Sequence, residues 1–273
     1  MYIYRLLFLF TFVFYAIPVQ ASDVFKVGVV PQFEPRKLAS IWLPILKKLS
    51  ERTGKEFQFV GTKNITDFEQ KLAKGAFDFA YMNPYHLLIS NKQQGYLPLV
   101  RDGGRSLYGI LVVQNHSPVK NVTELEGMQV AFPSPNALGA SLLMRAELHR
   151  KKGLTIDPKY VKTHSNVYLN VIYGAVAAGG GVLGSFNQQS KAVRDQLRIL
   201  YKTQEMPPHP FAAHPRVSVA MQGNIQQALM DMTTSPSGQA LLTKVPFKKL
   251  TNASLDDYQA MSSWGLGDYY IAP

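Results

Sequence analysis

The sequence predicts an α/β chain folded as two lobes, with the backbone crossing between them twice. Three observations lead there. Short β-branched and aromatic runs alternate with helix-period runs over residues 26–110, giving β-α-β-α-β, and the alternation restarts over 115–202. The remainder reads as helical, with no strand-rich unit of its own, so it must pack back on the first unit. A chain that leaves one unit, builds another and returns connects its lobes by two crossover strands, expected near Leu111–Gln114 and Thr203–Pro208. Such a hinge encloses a cleft that can close on a ligand.

The elements follow in order. Val24 to Val30 is a β-rich run closed by Pro31. Leu38, Ile41, Trp42, Ile45, Leu46 and Leu49 recur at helical spacing, with Pro44 as a kink and Gly54 as the end. "EFQFVGT" alternates as a strand, Asp67 to Lys74 is a helix capped by Gly75, and Phe77 to Met82 is a third strand. A short helix from Tyr85 to Asn91 precedes the strand-like runs "YLPLVRDG" and "SLYGILVVQN". The second unit reads as "VTEL" helix, "MQVAF" strand, a long helix from Ala137 to Lys152, "KYVKTHS" strand and "NVYLNVIYGAVAAGG" helix. It continues with "GGVLGSF" strand, "NQQSKAVRDQL" helix and "RILYKTQ" strand. "EMPPHPFAAHP" is too rich in proline for a regular element. Helices near 223–233, 238–244 and 255–261 finish the chain. The expected division is residues 1–21 as an export signal, 22–112 plus 206–273 as lobe 1, and 113–205 as lobe 2.

The N-terminus supports export. Arg5 precedes an apolar run from Leu6 to Ile17, shorter than the roughly 20 residues a spanning helix needs. Val19 and Ala21 occupy the −3 and −1 positions of a cleavage site before Ser22. There is no cysteine, which removes disulfides, thiolate metal sites and a cysteine nucleophile. The expected compartment is the periplasm. The formal charge of +11 is scattered, so it suits an anionic solute or an acidic surface better than nucleic acid. A monomer without metal or cofactor is expected. Enzyme motifs fail on spacing. His209 and His214 are five apart in a proline-broken stretch, G-x-S-x-G is absent, and "AAGGGVLG" and "GLGDYY" match no phosphate-loop pattern.

Three stretches, "KVGVVPQFEPRKLASIWLPILKKLSERTG", "KGAFDFAYMNPYHL" and "THSNVYLNVIYGAVAAGGGVLGSF", stand in this order along the chain. With them, the chain from about Val24 to Met232 resembles the phosphate/phosphite/phosphonate-type periplasmic solute-binding proteins of ABC transporters. The resemblance implies a two-lobed type II periplasmic binding protein fold that hands a solute to an ABC permease or, in some relatives, to a sensor protein such as a histidine kinase. It also implies that the strand around Phe77–Met82 delivers Asn83, Pro84 and Tyr85 to the cleft, with Asp78 structural. His164 matches the family's cleft histidine, which at a strand end can donate to an oxyanion.

Two departures stand out. Phosphonate-binding relatives carry Ser-Thr-Ser-Gly at a helix N-terminus. Here Asn136, Ala137 and Leu138 occupy the triad and only Gly139 matches. Hydroxyl coordination of an anion is thereby in doubt, although Ser134 or Asn136 could cap the helix and leave backbone N–H groups for an anion. In "GAVAAGG" Ala177 replaces the family's Asp, which argues against an aminoalkyl phosphonate. Gln32 and Phe33 after the first strand, and Ser106 and Tyr108 at the first crossover, complete the expected cleft residues. The candidate ligand set is therefore Gln32, Phe33, Asn83, Tyr85, Tyr108, Ser134, Asn136, Ala137 and His164.

Overall fold

A computed structural model describes residues 24–245 and 247–273; the expected signal segment, 1–21, lies outside the described residues. Two mixed sheets with helices on their faces make an α/β protein of two lobes. The first unit comprises β1 (Val24–Val29), α1 (Pro35–Thr53), β2 (Glu56–Val60), α2 (Ile65–Ala73), β3 (Phe79–Tyr81), α3 (Pro84–Gln94) and β4 (Leu97–Asp102). The second comprises β5 (Leu107–Gln114), β6 (Gln129–Phe132), α4 (Leu143–Lys152), β7 (Asp157–Tyr160), α5 (His164–Ile172), β8 (Ala178–Val182), α6 (Leu183–Asn187), α7 (Lys191–Arg194) and β9 (Leu197–Met206). The tail adds β10 (Phe211–Ala213), α8 (Val219–Asp231), α9 (Pro236–Lys244), β11 (Leu250–Asn252) and α10 (Asp256–Gln259).

The first sheet runs β11-β4-β10-β3-β1-β2 and the second β7-β6-β8-β5-β9. β1 pairs parallel with β2 and β3, and β6 parallel with β7 and β8, as βαβ units require. The expected amphipathic face of α1 is the buried one: Leu38, Ile41, Trp42, Ile45, Leu46 and Leu49 all lie inward, and Gly54 ends the helix in the left-handed region. Asp78 is structural. It accepts from Lys26 N at 2.7 Å and from Arg216 Nε at 2.6 Å.

Several expectations are corrected. The proline-rich stretch holds β10, which lies antiparallel between β3 and β4 in the middle of the first sheet. Its prolines flank the three-residue ladder. Phe211 is buried, stacked on Phe79 at 5.7 Å and on Trp42 at 5.9 Å. Burial of one such ring, worth roughly 1.5–3 kcal/mol, explains why a strand forms between prolines. The sheet changes fall at residues 103–106 and 207–210, not at Leu111–Gln114, because β5 pairs with β9 from Leu107 to Gln114 and with β8 over Gly109–Val112. The tail also contributes β11, antiparallel to β4. α5 stops at Ile172, before Gly174 at φ 70°, so Ala178 and Gly179 belong to the strand β8 rather than to the helix, and "LGSFN" is the helix α6 rather than strand.

The glycine run in β8 has a packing reason. A Cβ at Gly179 would meet Val167 of α5 at 2.5 Å, at Gly180 the carbonyl oxygen of Ala140 at 2.0 Å, and at Gly181 the Tyr168 hydroxyl at 2.2 Å. The helices lie so close to this strand that side chains are excluded.

Candidate functional site

The carboxyl ends of the parallel strands face one another across the cleft. β1 runs on through Val30, whose N–H donates to Tyr81 O at 2.9 Å, and a turn then brings in Gln32 and Phe33. β3 brings Tyr81 and then Asn83. The Asn83 side chain caps α3 by accepting from His86 N at 2.8 Å, and its Nδ2 donates across the cleft to Asn136 O at 3.2 Å.

β4 ends at Asp102, whose side chain is only 2 % exposed. Its carboxylate accepts from Gly104 N and Lys249 N, both at 2.9 Å, and from Lys248 N at 3.1 Å. It also takes Arg105 Nε at 2.8 Å. That pairing holds the guanidinium at the first sheet change, and Arg105 Nη1 and Nη2 have no protein acceptor among the described residues. The backbone donors absorb the carboxylate charge, so the free edge of Arg105 presents positive charge.

These groups line a chamber of about 430 Å³. Gln32, Phe33 and Tyr81 form one wall, Val182, Leu183, Ser185 and Gln188 the other, and Arg105, Tyr108, Pro208, His209 and Phe247 close its ends. Tyr81 stacks on His209 at 5.4 Å and meets Phe247 edge-on at 5.8 Å. Lys37 lies 3.9 Å from the Phe33 ring centroid. Tyr108 and Ser106 both donate to Glu205, holding that carboxyl below its usual range.

A second space, about 20 Å³, adjoins the first, sharing Gln32, Val182 and His209 with it. Asn83, Ala137, Leu138, Gly139 and His164 line it. Here the expected long helix starts as a π turn, Leu138–Leu142, before α4. Neither Ser134 nor Asn136 caps it: the cap position is Ala137, which makes no side-chain cap hydrogen bond. Asn136 is spent on the C-terminus, donating to Ile271 O at 2.6 Å and accepting from Ile271 N at 3.0 Å. Ser134 Oγ is buried without a partner among the described residues.

His164 is the first residue of α5, after the Thr163 cap, rather than a strand end. Its Nδ1 lies 3.1 Å from Ser185 Oγ, which donates to Val182 O at 2.9 Å. Ser185 Oγ also meets Tyr168 Oη at 3.0 Å, so His164 is held in a buried hydroxyl network. Burial lowers its pKa to about 4. His209 is lowered to about 3, by burial first and then by neighbouring His86, His164 and Arg105. Gln32 Nε2 donates to His209 Nε2 at 3.2 Å. Both imidazoles are neutral at pH 7.

Of the expected residues, Gln32, Phe33 and Tyr108 line the large chamber, and Asn83, Ala137 and His164 the small one. Tyr85 packs edge-on to Tyr270 at 5.8 Å, and it, Ser134 and Asn136 line neither. Sequence reasoning missed Tyr81, Arg105, His209, Phe247 and the α6 residues. The position of "RDGGRS" between two strands could have flagged Arg105; His209 was hidden in the stretch dismissed for its prolines.

The model of the family described as "ABC transporter, phosphonate, periplasmic substrate-binding protein" matches residues 27–258. The chain belongs to this family. Solved structures agree on the fold. A binding-protein component of an ABC phosphonate transporter from Pseudomonas aeruginosa is 14 % identical, covering 89 % of this chain and 86 % of its own, with TM-score 0.81. PhnD1 from Prochlorococcus marinus, in complex with methylphosphonate, is 16 % identical, covering 92 % and 100 %, with TM-score 0.81. XAC2383 from Xanthomonas citri, bound to ATP, is 14 % identical, covering 92 % and 100 %, with TM-score 0.75. Comparison with curated protein sequences returned no match. As a member of the phosphonate-transporter binding-protein family, the chain is a periplasmic substrate-binding protein of transport type. No three His, Cys, Asp or Glu side chains cluster as metal ligands among the described residues.

Proposed function

We propose that this chain is exported by cleavage before Ser22, works as a monomer, and captures a small solute in its cleft for delivery to an ABC permease. The observation that carries the reading is the 430 Å³ chamber, walled by residues of both sheets at the carboxyl ends of their strands. Lining groups from both sides let a solute stabilise the closed arrangement, which is how a permease can distinguish a loaded receptor from an empty one. The solute is read as an anion, since Arg105 offers a free guanidinium edge and the formal charge, +11 for the whole chain, stays strongly positive at +11 − 1 = +10 once the segment carrying Arg5 is removed. Solved structures of this fold hold ligands as different as methylphosphonate and ATP, so the fold does not restrict the ligand to a bare oxyanion. Delivery to a sensor kinase instead would use the same cleft and differ only in the protein downstream.

The lack of cysteine makes the test simple. Single cysteines placed at Lys48 and Lys191, one on each lobe, take spin labels cleanly. The purified protein is screened against oxyanions, organic anions, neutral solutes and a metabolite extract, reading the melting temperature and the inter-label distance. A bound solute raises the first by mass action and narrows the spread of the second. If no solute or extract changes either reading, the receptor function is wrong. Loss of uptake of the bound solute on deleting the gene supports delivery to a permease; unchanged uptake with lost transcriptional response supports the sensor role.

A further inference from the structure

The two spaces in the cleft differ in what they can hold. The small one lies at the π turn that begins at Leu138. Its roughly 20 Å³ is close to the ~10–15 Å³ a single water requires, so a tetrahedral oxyanion does not fit. Its walls include Val30, Ile65, Leu138, Ala140 and Val182, and among its polar groups the Gln32 and Asn83 amides are already spent on His209 and Asn136 O while His164 and His209 are uncharged. An anion there would lose its hydration shell and recover few hydrogen bonds.

We infer that the cargo is an organic anion with a planar apolar body, seated in the large chamber beside the sheet changes, its acidic group on Arg105 and its ring against Phe33, Tyr81 and Phe247. This rests on the receptor reading above. Size is the first argument: 430 Å³ falls in the ~300–1,000 Å³ range of organic-ligand pockets and far exceeds the needs of a bare oxyanion.

Wall chemistry is the second. Three aromatic rings with Leu107, Val182 and Leu183 offer contact to an apolar body. Gln32, Asn187 and Gln188 supply hydrogen bonds that a small apolar solute would leave unused.

Charge is the third. Arg105, its side chain 38 % exposed, is gripped through Nε by Asp102, leaving the forked Nη pair that suits a carboxylate or phosphonate. A cationic cargo finds no comparable partner: the Asp102 carboxylate already accepts three backbone N–H groups and Arg105. Glu205 is bound by Ser106 and Tyr108 and lies outside the chamber.

Calorimetric titration of the full chain with phenylphosphonate, benzoate, methylphosphonate, inorganic phosphate and benzyl alcohol tests this. The expected result is at least one aryl anion binding about tenfold or more tighter than methylphosphonate, phosphate or benzyl alcohol. Arg105→Gln should weaken that aryl anion by about tenfold or more. Arg105→Lys, which keeps the charge but not the fork, should weaken it by a smaller factor. Leu138→Ser, which places a hydroxyl in the small space, should leave aryl-anion affinity unchanged.

Methylphosphonate or phosphate matching the aryl anions overturns the inference, as does absence of binding by either aryl anion or indifference to Arg105→Gln. Unliganded melting temperatures of the variants within a few degrees of the parent exclude misfolding as the cause of lost binding. If the inference fails but another solute still narrows the inter-label distance, the receptor function stands and only the cargo class is wrong.

Discussion

Gly180→Ala tests how the cleft wall is seated. The π turn that opens α4 lies on β8 and β5 so tightly that a Cβ at Gly180 would stand 2.0 Å from the carbonyl oxygen of Ala140 and 2.5 Å from the Phe132 ring. Real Cβ atoms essentially never approach closer than 3.0 Å, so the turn must withdraw by about an ångström. The obstacle is backbone and cannot rotate away. Overpacking in a close-packed interior costs about 1–3 kcal/mol when side chains can give, so the expected loss is about 3 kcal/mol or more. For a chain of this size each kcal/mol lowers Tm by roughly 2–4 °C, which places the fall at about 6–12 °C. Urea denaturation followed by circular dichroism measures it directly. Gly223→Ala is the control: the added Cβ meets nothing within 4 Å, in the interior of α8, and should stabilise by about 0.5–1 kcal/mol. A Gly180→Ala protein within 1 kcal/mol of the parent would refute the close seating of α4.

Other expectations are simpler. The folded pKa values of His164 and His209, about 4 and about 3, lie below the ordinary value of 6.5, so the unfolded state takes up protons that the folded state refuses. Their stability contribution is complete above pH 6.5 and is lost as pH falls toward 4, at about 1.4 kcal/mol per pH unit for each group. His164→Gln should shallow that slope by about one proton in urea titrations at stepped pH. Ser134→Ala removes a buried hydroxyl without a partner and should leave stability unchanged or raised by up to about 1 kcal/mol; a loss above 1 kcal/mol would show that the hydroxyl is bonded. Asn136→Ala breaks both bonds to Ile271 and should cost about 1–3 kcal/mol, with faster amide exchange at Ile271 as the local readout.

The fold was legible where one principle acts at a time. The apolar stripe of α1, the glycine caps and the alternation of strand and helix each carry a period or a stop signal, and the helices and parallel strands of the first unit formed where those signals lie. Legibility failed where tertiary contact decides. β10 has three residues between prolines and no period to read; Phe211 makes it a strand only because Trp42 and Phe79 wait on either side. The start of the β8 glycine run reads as a helix tail because its reason, helices pressed against the strand, lies outside the segment. Gln32, Phe33 and Tyr108 stand in the chamber lining because they follow or begin strands near the sheet changes, which the order of elements lets one read. Asn136 was misread because its partner, Ile271, is 135 residues away. The same holds for Arg105, whose position is set by an Asp102 carboxylate fixed in turn by Lys248 and Lys249.

These failures share a physical root, and it bears on ligand choice. Gly109 on β5 and Gly180 on β8 form a floor on which the backbone of Gly139 and Ala140 rests, a Cβ at Gly109 falling 2.1 Å from Gly139 O. A turn drawn down this far brings Leu138 against Val30, Ile65 and Val182 and leaves space for little more than a water. The absence of hydroxyls at 136–138 and the surplus of glycine at 179–181 therefore act together to close the helix terminus. What stays open is bounded by the two sheet changes, through Arg105 and Ser106 on one pass and Pro208 and His209 on the other. On the proposed receptor reading, a cargo seated there would touch the segments about which the lobes rotate, and its binding energy would act directly on the closed arrangement rather than through the distant rim of the cleft.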